Sequence, residues 1–382
     1  MHHVILLTGL GNEYADTRRK IGLIVPEFCS FLVFEPTQTE LVASLCRRAG
    51  WKVSFISDPS KRFKFFRNGH SEVSQPGALA EFGTLGEGEN HGQLLMVEAE
   101  RTEANNIIQL IGAADLIVEG FPDQISGNAS VFEIPENASE RTSIFENLFR
   151  TIGFFGLFSF KMERPVGVAV AAKAWSDRRI AYAIHKLAKS YEIEAITPWS
   201  AHPRYGQIFE KHSGEFSDHV RSSIAINLAF SAIEELNLQI ISSREKPRWL
   251  DKEYTWNPPV LLDITSRLEK AGIDLNRTVD WIARGDETEL AIQPARDRFS
   301  AYGDGHVVRD IELSIPDAIH ACSYLRNFVT AHAFGKEMPR LGPYEVYNVQ
   351  QVARFLVLSK CGLFNVWTHD LSEQMDSQVR PS

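Results

Sequence analysis

The sequence predicts two folded regions of different class: an α/β domain over residues 1–205 and an all-α four-helix bundle over 213–370. Three observations carry this. The chain has 382 residues, more than one hydrophobic core of about 100–200 residues encloses. Up to about residue 200, short β-rich runs alternate with segments of helical periodicity, the pattern of a partly parallel sheet with helices packed on it. After Pro203 the apolar spacing is almost wholly helical.

In the first region VILLT (4–8), LVF (32–34), WKVSFI (51–56), LLMVE (94–98), LIVEG (116–120) and VGVAVAA (166–172) have the apolar and β-branched density of strands. TELVASLCRRAG (39–50), RTEANNIIQLIGA (101–113), RTSIFENLFRTIG (141–153) and SDRRIAYAIHKLAKSYE (176–192) suit helices. Residues 68–93 are rich in Gly, Glu and Ser without periodicity and read as a surface loop.

In the second region, 217–240 opens on Ser217 as a cap and keeps its apolar residues at helical spacing. The helix over 258–273 has Pro at its first turn, where the missing N–H costs nothing. A third helix, 314–335, runs from a Ser314 cap to a Gly335 stop, and a fourth, 344–362, ends at Gly362. Helices of this length make a bundle. Within the intervening 274–313, TVDWIARG (278–285) reads as a short helix and DRFSAYGDGH (297–306) as an excursion. Residues 371–382 are expected to be a disordered tail.

A net charge of −9 opposes binding of polyanions, so any contact with nucleic acid must come from a local basic patch. Cys29, Cys46, Cys322 and Cys361 lie far apart, without CxxC or a nearby pair of His. Reduced thiols fit this better than a disulfide framework or a zinc site. No metal or cofactor is expected. The start, MHHVILLTGLGNEY, lacks the basic n-region of a signal peptide. The densest apolar run, Ile152–Phe160, is about half of the ~20 residues that span a bilayer. The expectation is a cytoplasmic protein without membrane contact, in which the sequons at Asn128 and Asn137 are incidental.

Three stretches carry candidate chemistry. GLG at 9–11 follows a predicted strand as phosphate loops do, but lacks the third glycine of a dinucleotide fingerprint and the GK[ST] of a P-loop. A tight turn at Gly9 and Gly11 is the preferred account. WSAHPRYGQIFEKH (199–212) gathers Trp199, His202, Arg204, Tyr205 and His212, a mixture that stacks bases or holds phosphate, or simply packs an interdomain linker. The third is YLRNFVTAH (324–332), where an otherwise apolar helix carries Arg326, Asn327 and His332. Burying such groups unpaired costs several kcal/mol, so this face meets solvent, a partner or a ligand.

Arg followed by His at this spacing also occurs at Arg178 and Arg179 before His185, among Asp177, Lys186 and Lys189, which reads as a solvated face. Context, not spacing, separates the two. RNFVTAH (326–332), an Arg, a polar residue and a His a few positions on, resembles the signature of the HEPN superfamily of helical domains. LAFSAIEEL (228–236) is similar to the first helix of such domains, and the resemblance covers about 217–370. It implies a metal-independent endoribonuclease of toxin or antiphage-defence type, acting as a homodimer, with RNA as substrate and with an antitoxin or regulatory partner. In that reading His332 is the general acid/base, Arg326 binds the phosphate and Asn327 orients. The α/β domain then serves as a sensor or regulator.

The residue types suit that chemistry. RNA carries its own nucleophile, the 2′-hydroxyl, so the protein need only move protons and stabilise charge on phosphorus. Imidazole titrates near neutrality, and guanidinium offers a planar, permanently charged fork. Six residues of regular helix turn about 600° and rise about 9 Å, so Arg326 and His332 would diverge on one straight helix; two protomers sharing a groove resolve this. Lys336, Arg340 and Arg354 are the nearest further cations for RNA, with Arg244, Lys246 and Arg248 after the first bundle helix. Two other readings stand beside this one. The domain is a non-catalytic HEPN module for binding or dimerisation, or the chain is an enzyme with its site in the α/β domain.

Overall fold

The computed structural model describes residues 3–7, 33–34, 36–57, 93–119, 129–133, 137, 139–140, 142–143, 164–194, 215–251, 255–284, 308–330, 341–366 and 371. The described residues are mostly helical, with eight helices and two small antiparallel sheets. They fall into two compact units. The first joins Met1–Asp115, Gln124–Ser176 and Val366–Ser382, and the second joins Leu116–Asp123 and Asp177–Asn365. No described helix is long and apolar enough to cross a membrane. The candidate segments at 8–12, 199–212 and 297–306, and Gly335, lie outside the described residues.

In the first unit β4 (Gln93–Ala99) is the hub of a sheet, pairing with β1 (His3–Leu7), β2 (Val33–Phe34) and β3 (Val53–Ser57), while β1 also pairs with β5 (Ala129–Glu133). Every pairing is antiparallel, which corrects the partly parallel sheet expected from the alternating pattern. The reason lies in two segments expected as strands. LIVE (116–119) continues α2 (Arg101–Glu119), and VGVAVAA lies in α3 (Arg164–Trp175), so neither is available to return as a parallel crossover strand.

Most of both segments is buried, with Ile117, Val168, Ala169 and Val170 at 0% exposure. An all-round apolar helix has no 3.6-residue stripe and cannot be told from a buried strand by periodicity. Gly167 shows why α3 needs a small residue here. A Cβ at that position would lie 2.9 Å from the Asp115 Cα on α2. Helix α1 (Pro36–Arg48) packs on α3, and Trp51 meets Trp175 edge to face at 5.6 Å.

In the second unit α4 (Arg178–Ile193) and α5 (Phe216–Glu235) form an antiparallel pair. Its register is set by polar contacts: Lys186 Nζ to Glu235 Oε1 at 2.6 Å, Ser190 Oγ to the Ala225 carbonyl at 2.7 Å, and Ser222 Oγ to Glu194 Oε2 at 2.6 Å. Ile226, Ala229, Ile233, Val349, Val352 and Leu356 are wholly buried where α8 (Pro343–Lys360) packs against α5. Helix α6 (Pro258–Lys270) starts on Pro and ends at Gly272, whose φ is +77°. Helix α7 (Ile315–Tyr324) begins at the expected Ser314 cap, whose Oγ accepts from the Asp317 N–H. Gly362, at φ +68°, closes α8 as expected; the Leu363 N–H reaches back to the Leu358 carbonyl at 2.9 Å.

The second unit is not all-α. TVDWIARG is not a helix but strand β6 (Thr278–Arg284), paired antiparallel with β7 (Val308–Ser314). Val279 and Trp281 are buried while Thr278 and Asp280 are exposed, the two-residue period of a strand. Asn348 on α8 binds this strand in place of a third one. Its Oδ1 accepts from the Ile282 N–H at 2.9 Å, and its Nδ2 donates to the Ile282 carbonyl at 2.8 Å.

Candidate functional site

Helix α7 does not continue as a regular α-helix into the motif. Leu325–Thr330 forms a π turn, a wide turn found frequently at functional positions. The angular argument from a straight helix therefore does not apply at Arg326. The turn is braced by side chains: Thr330 Oγ1 donates to the Arg326 carbonyl at 3.2 Å, and Ser223 Oγ on α5 donates to the Thr330 carbonyl at 3.3 Å.

Two of the three motif residues are brought together. Arg326 Nη1 donates to Asn327 Oδ1 at 2.7 Å, and Asn327 Nδ2 donates to Ser323 Oγ at 3.0 Å. The guanidinium lies over the Phe230 ring at 6.0 Å, within cation–π range. Its only carboxylate contact among the described residues is Glu234 Oε1, at 3.9 Å and with both side chains more than a third exposed. Such a loose, solvated pair is worth about 1 kcal/mol or less, so an incoming anion meets little competition. His332, Lys336 and Arg340 lie outside the described residues.

Arg354 is engaged elsewhere. Its Nε donates to the Ile117 carbonyl at 2.7 Å and its Nη2 to the Val118 carbonyl, so it satisfies orphan carbonyls at the end of α2. Arg244 and Lys246 are exposed on the segment after α5. Of the rival Arg–His pairs, Arg179 Nη2 donates to the Glu234 carbonyl at 3.4 Å and His185 is exposed, in keeping with a solvated face.

The network extends beyond the motif. Arg248 Nη2 donates to the same Ser323 Oγ at 3.3 Å, and Arg248 Nη1 bonds His320 Nδ1. Because a guanidinium only donates, Nδ1 must be the unprotonated nitrogen and Nε2 carries the hydrogen. That Nε2 is buried and has no hydrogen-bond partner among the described residues. Burial, then the Arg248 charge, pushes His320 down to about 3, and burial pushes Arg248 down to about 10. Trp249 stands edge-on to the imidazole at 4.7 Å and packs on Trp256 at 4.3 Å. Trp256 Nε1 donates to Asp317 Oδ1 at 2.8 Å, whose other oxygen accepts from Ser314 Oγ.

His320 and Ser323 were not singled out from the sequence, although a signal exists. His320, Ser323 and Asn327 follow one another at three and four residues, a polar stripe on an apolar helix. Cys46 and Cys322 are buried free thiols, and Cys361 is buried. No family model matches the chain, and neither a curated protein nor a solved structure matches it.

Proposed function

We propose that the chain is a dimeric, metal-independent endoribonuclease of the HEPN type, with an α/β N-terminal region that regulates a C-terminal helical domain. One observation carries the reading: an arginine in a π turn of an otherwise apolar helix, held by Asn327 and half exposed, with only a loose carboxylate contact. Arg326 binds the non-bridging oxygens of the scissile phosphate and offsets the charge that develops there. His332 takes the proton from the 2′-hydroxyl as its oxygen bonds to phosphorus. A second imidazole, from a partner protomer, protonates the 5′-oxygen as the phosphorus–oxygen bond breaks. The products are a 2′,3′-cyclic phosphate and a 5′-hydroxyl. Asn327 fixes the guanidinium plane through its Oδ1.

The non-catalytic reading draws on a different observation. Among the described residues Arg326 meets Asn327, Glu234, Phe230 and Thr330, all in its own unit, as in a module whose arginine only braces its fold. Incubation with total RNA in EDTA decides between them. The ribonuclease reading expects cleavage by the wild type and none by His332→Ala of unchanged circular dichroism; equal activity of the two would end it.

A further inference from the structure

Among the described residues, the side-chain contacts of the Arg248 cation are neutral. It is tethered at two nitrogens, by His320 Nδ1 and Ser323 Oγ, and among the described residues it has no carboxylate within ion-pair distance. Neighbouring carboxylates have other contacts: Asp317 bonds Trp256 and Ser314, Asp251 accepts from the Thr255 N–H, and Glu234 lies 3.9 Å from Arg326 in a loose, solvated pair. A half-buried guanidinium without a counter-charge is a costly arrangement, and its two tethers leave N–H donors of the fork unspent. The His320 that holds it is 3% exposed and keeps its own Nε2 hydrogen unpartnered among the described residues.

The surroundings match one class of anion. Three hydrogen bonds connect the two arginines, Arg248 to Ser323 at 3.3 Å, Ser323 to Asn327 at 3.0 Å and Asn327 to Arg326 at 2.7 Å. The half-exposed rings of Trp249, next in the chain to Arg248, and Trp256 pack on each other and stand edge-on to the His320 that holds Arg248. Cations interleaved with aromatic rings are what single-stranded nucleic acid binds, phosphate on the cation and base on the ring. We infer that Arg248, with Trp249 and Trp256, forms a second phosphate subsite, holding the phosphodiester next to the one bound by Arg326. The inference rests on the ribonuclease reading and adds to it where the flanking nucleotide lies.

Binding of a 2′-O-methyl oligoribonucleotide tests it, since that probe lacks the nucleophile and is not cut by active protein. Fluorescence anisotropy at several KCl concentrations gives Kd and its salt slope. Arg248→Gln is expected to weaken binding about tenfold and to reduce the slope by about 0.7, the loss of one phosphate contact on a single strand. Arg248→Lys, which keeps the charge but not the fork, is expected to keep the slope and bind several-fold more weakly. An unchanged slope and affinity in Arg248→Gln, with a wild type that binds and cleaves, overturns the subsite alone. Should the Gln variant fail to fold, the Lys variant decides, and wild-type affinity there overturns the subsite. A loss of slope in a protein that never cleaves supports the subsite while ending the ribonuclease reading. A wild type that binds no oligonucleotide ends both.

Discussion

Replacing His320 by Gln should remove an acid sensitivity that the wild type carries. The folded protein holds this imidazole neutral down to about pH 3, whereas the unfolded chain protonates it near 6.5. Below about 6.5 the unfolded state therefore binds a proton that the native state does not, and stability falls as pH falls. The contribution is fully present above the unfolded value and is lost towards the folded one. The slope approaches about 1.4 kcal/mol per pH unit, which integrates to about 3 kcal/mol between pH 7 and pH 4.

The cause is local: the ring is buried, and the permanently charged Arg248 lies against its Nδ1. Asp317, one turn earlier on the same helix, gives little relief because its carboxylate is occupied by Trp256 and Ser314. The assay is urea unfolding by far-ultraviolet circular dichroism at half-unit steps of pH, wild type beside His320→Gln. Other titrating groups act on both proteins and cancel in the difference. The two stability curves should separate by about 3 kcal/mol on going from pH 7 to pH 4. Curves that stay parallel would mean that His320 takes up its proton in the folded state, and the account of the Arg248–His320 contact would be wrong.

Ser323→Ala removes the oxygen that accepts from both Arg248 and Asn327. One charge-assisted and one neutral hydrogen bond are lost, and the expected destabilisation is about 2–3 kcal/mol in urea unfolding with an unchanged m value; a change below about 0.5 kcal/mol would show that the network does not hold α7. Gly167→Ala would gain about 1 kcal/mol from helix propensity. Its Cβ meets the Asp115 Cα at 2.9 Å, so the net expectation is a loss of about 1–2 kcal/mol, read as a lower Tm of the first unit. A raised Tm would contradict the close approach of α2 and α3.

Much of the local architecture is legible in single residues. Ser314, Pro258 and Gly362 mark the starts and stops of helices because each answers a backbone need that does not depend on distant parts of the chain. What escapes is non-local. TVDWIARG becomes a strand because β7, some 30 residues on, pairs with it and Asn348 caps its other edge. VGVAVAA is a helix buried over Val166–Ala171, which erases the stripe that would announce it.

The site divides in the same way. Arg326 and Asn327 stand out as polar residues in an apolar helix and do meet in space. Arg248 was one of six cations named by proximity in sequence. Nothing local separates it from Arg354, which the fold uses to satisfy the carbonyls at the end of α2. His320 reads as an ordinary residue of an apolar helix until the segment after α5 brings Arg248 and Trp249 against it. The π turn has no signature in LRNFVT at all, since helix propensity does not distinguish four-residue from five-residue hydrogen bonding.

The central claim is that Arg326 and His332 cleave RNA by attack of its own 2′-hydroxyl. It is tested most directly on a short oligoribonucleotide with one identified cleavage position, in EDTA, with the products weighed by mass spectrometry. The account predicts a 2′,3′-cyclic phosphate on the upstream fragment and a 5′-hydroxyl on the downstream one. Cleavage should vanish at that position when its nucleotide is made 2′-deoxy, and everywhere in Arg326→Ala and His332→Ala. Cleavage of the 2′-deoxy substrate at the wild-type rate, or products bearing a 5′-phosphate, would contradict it.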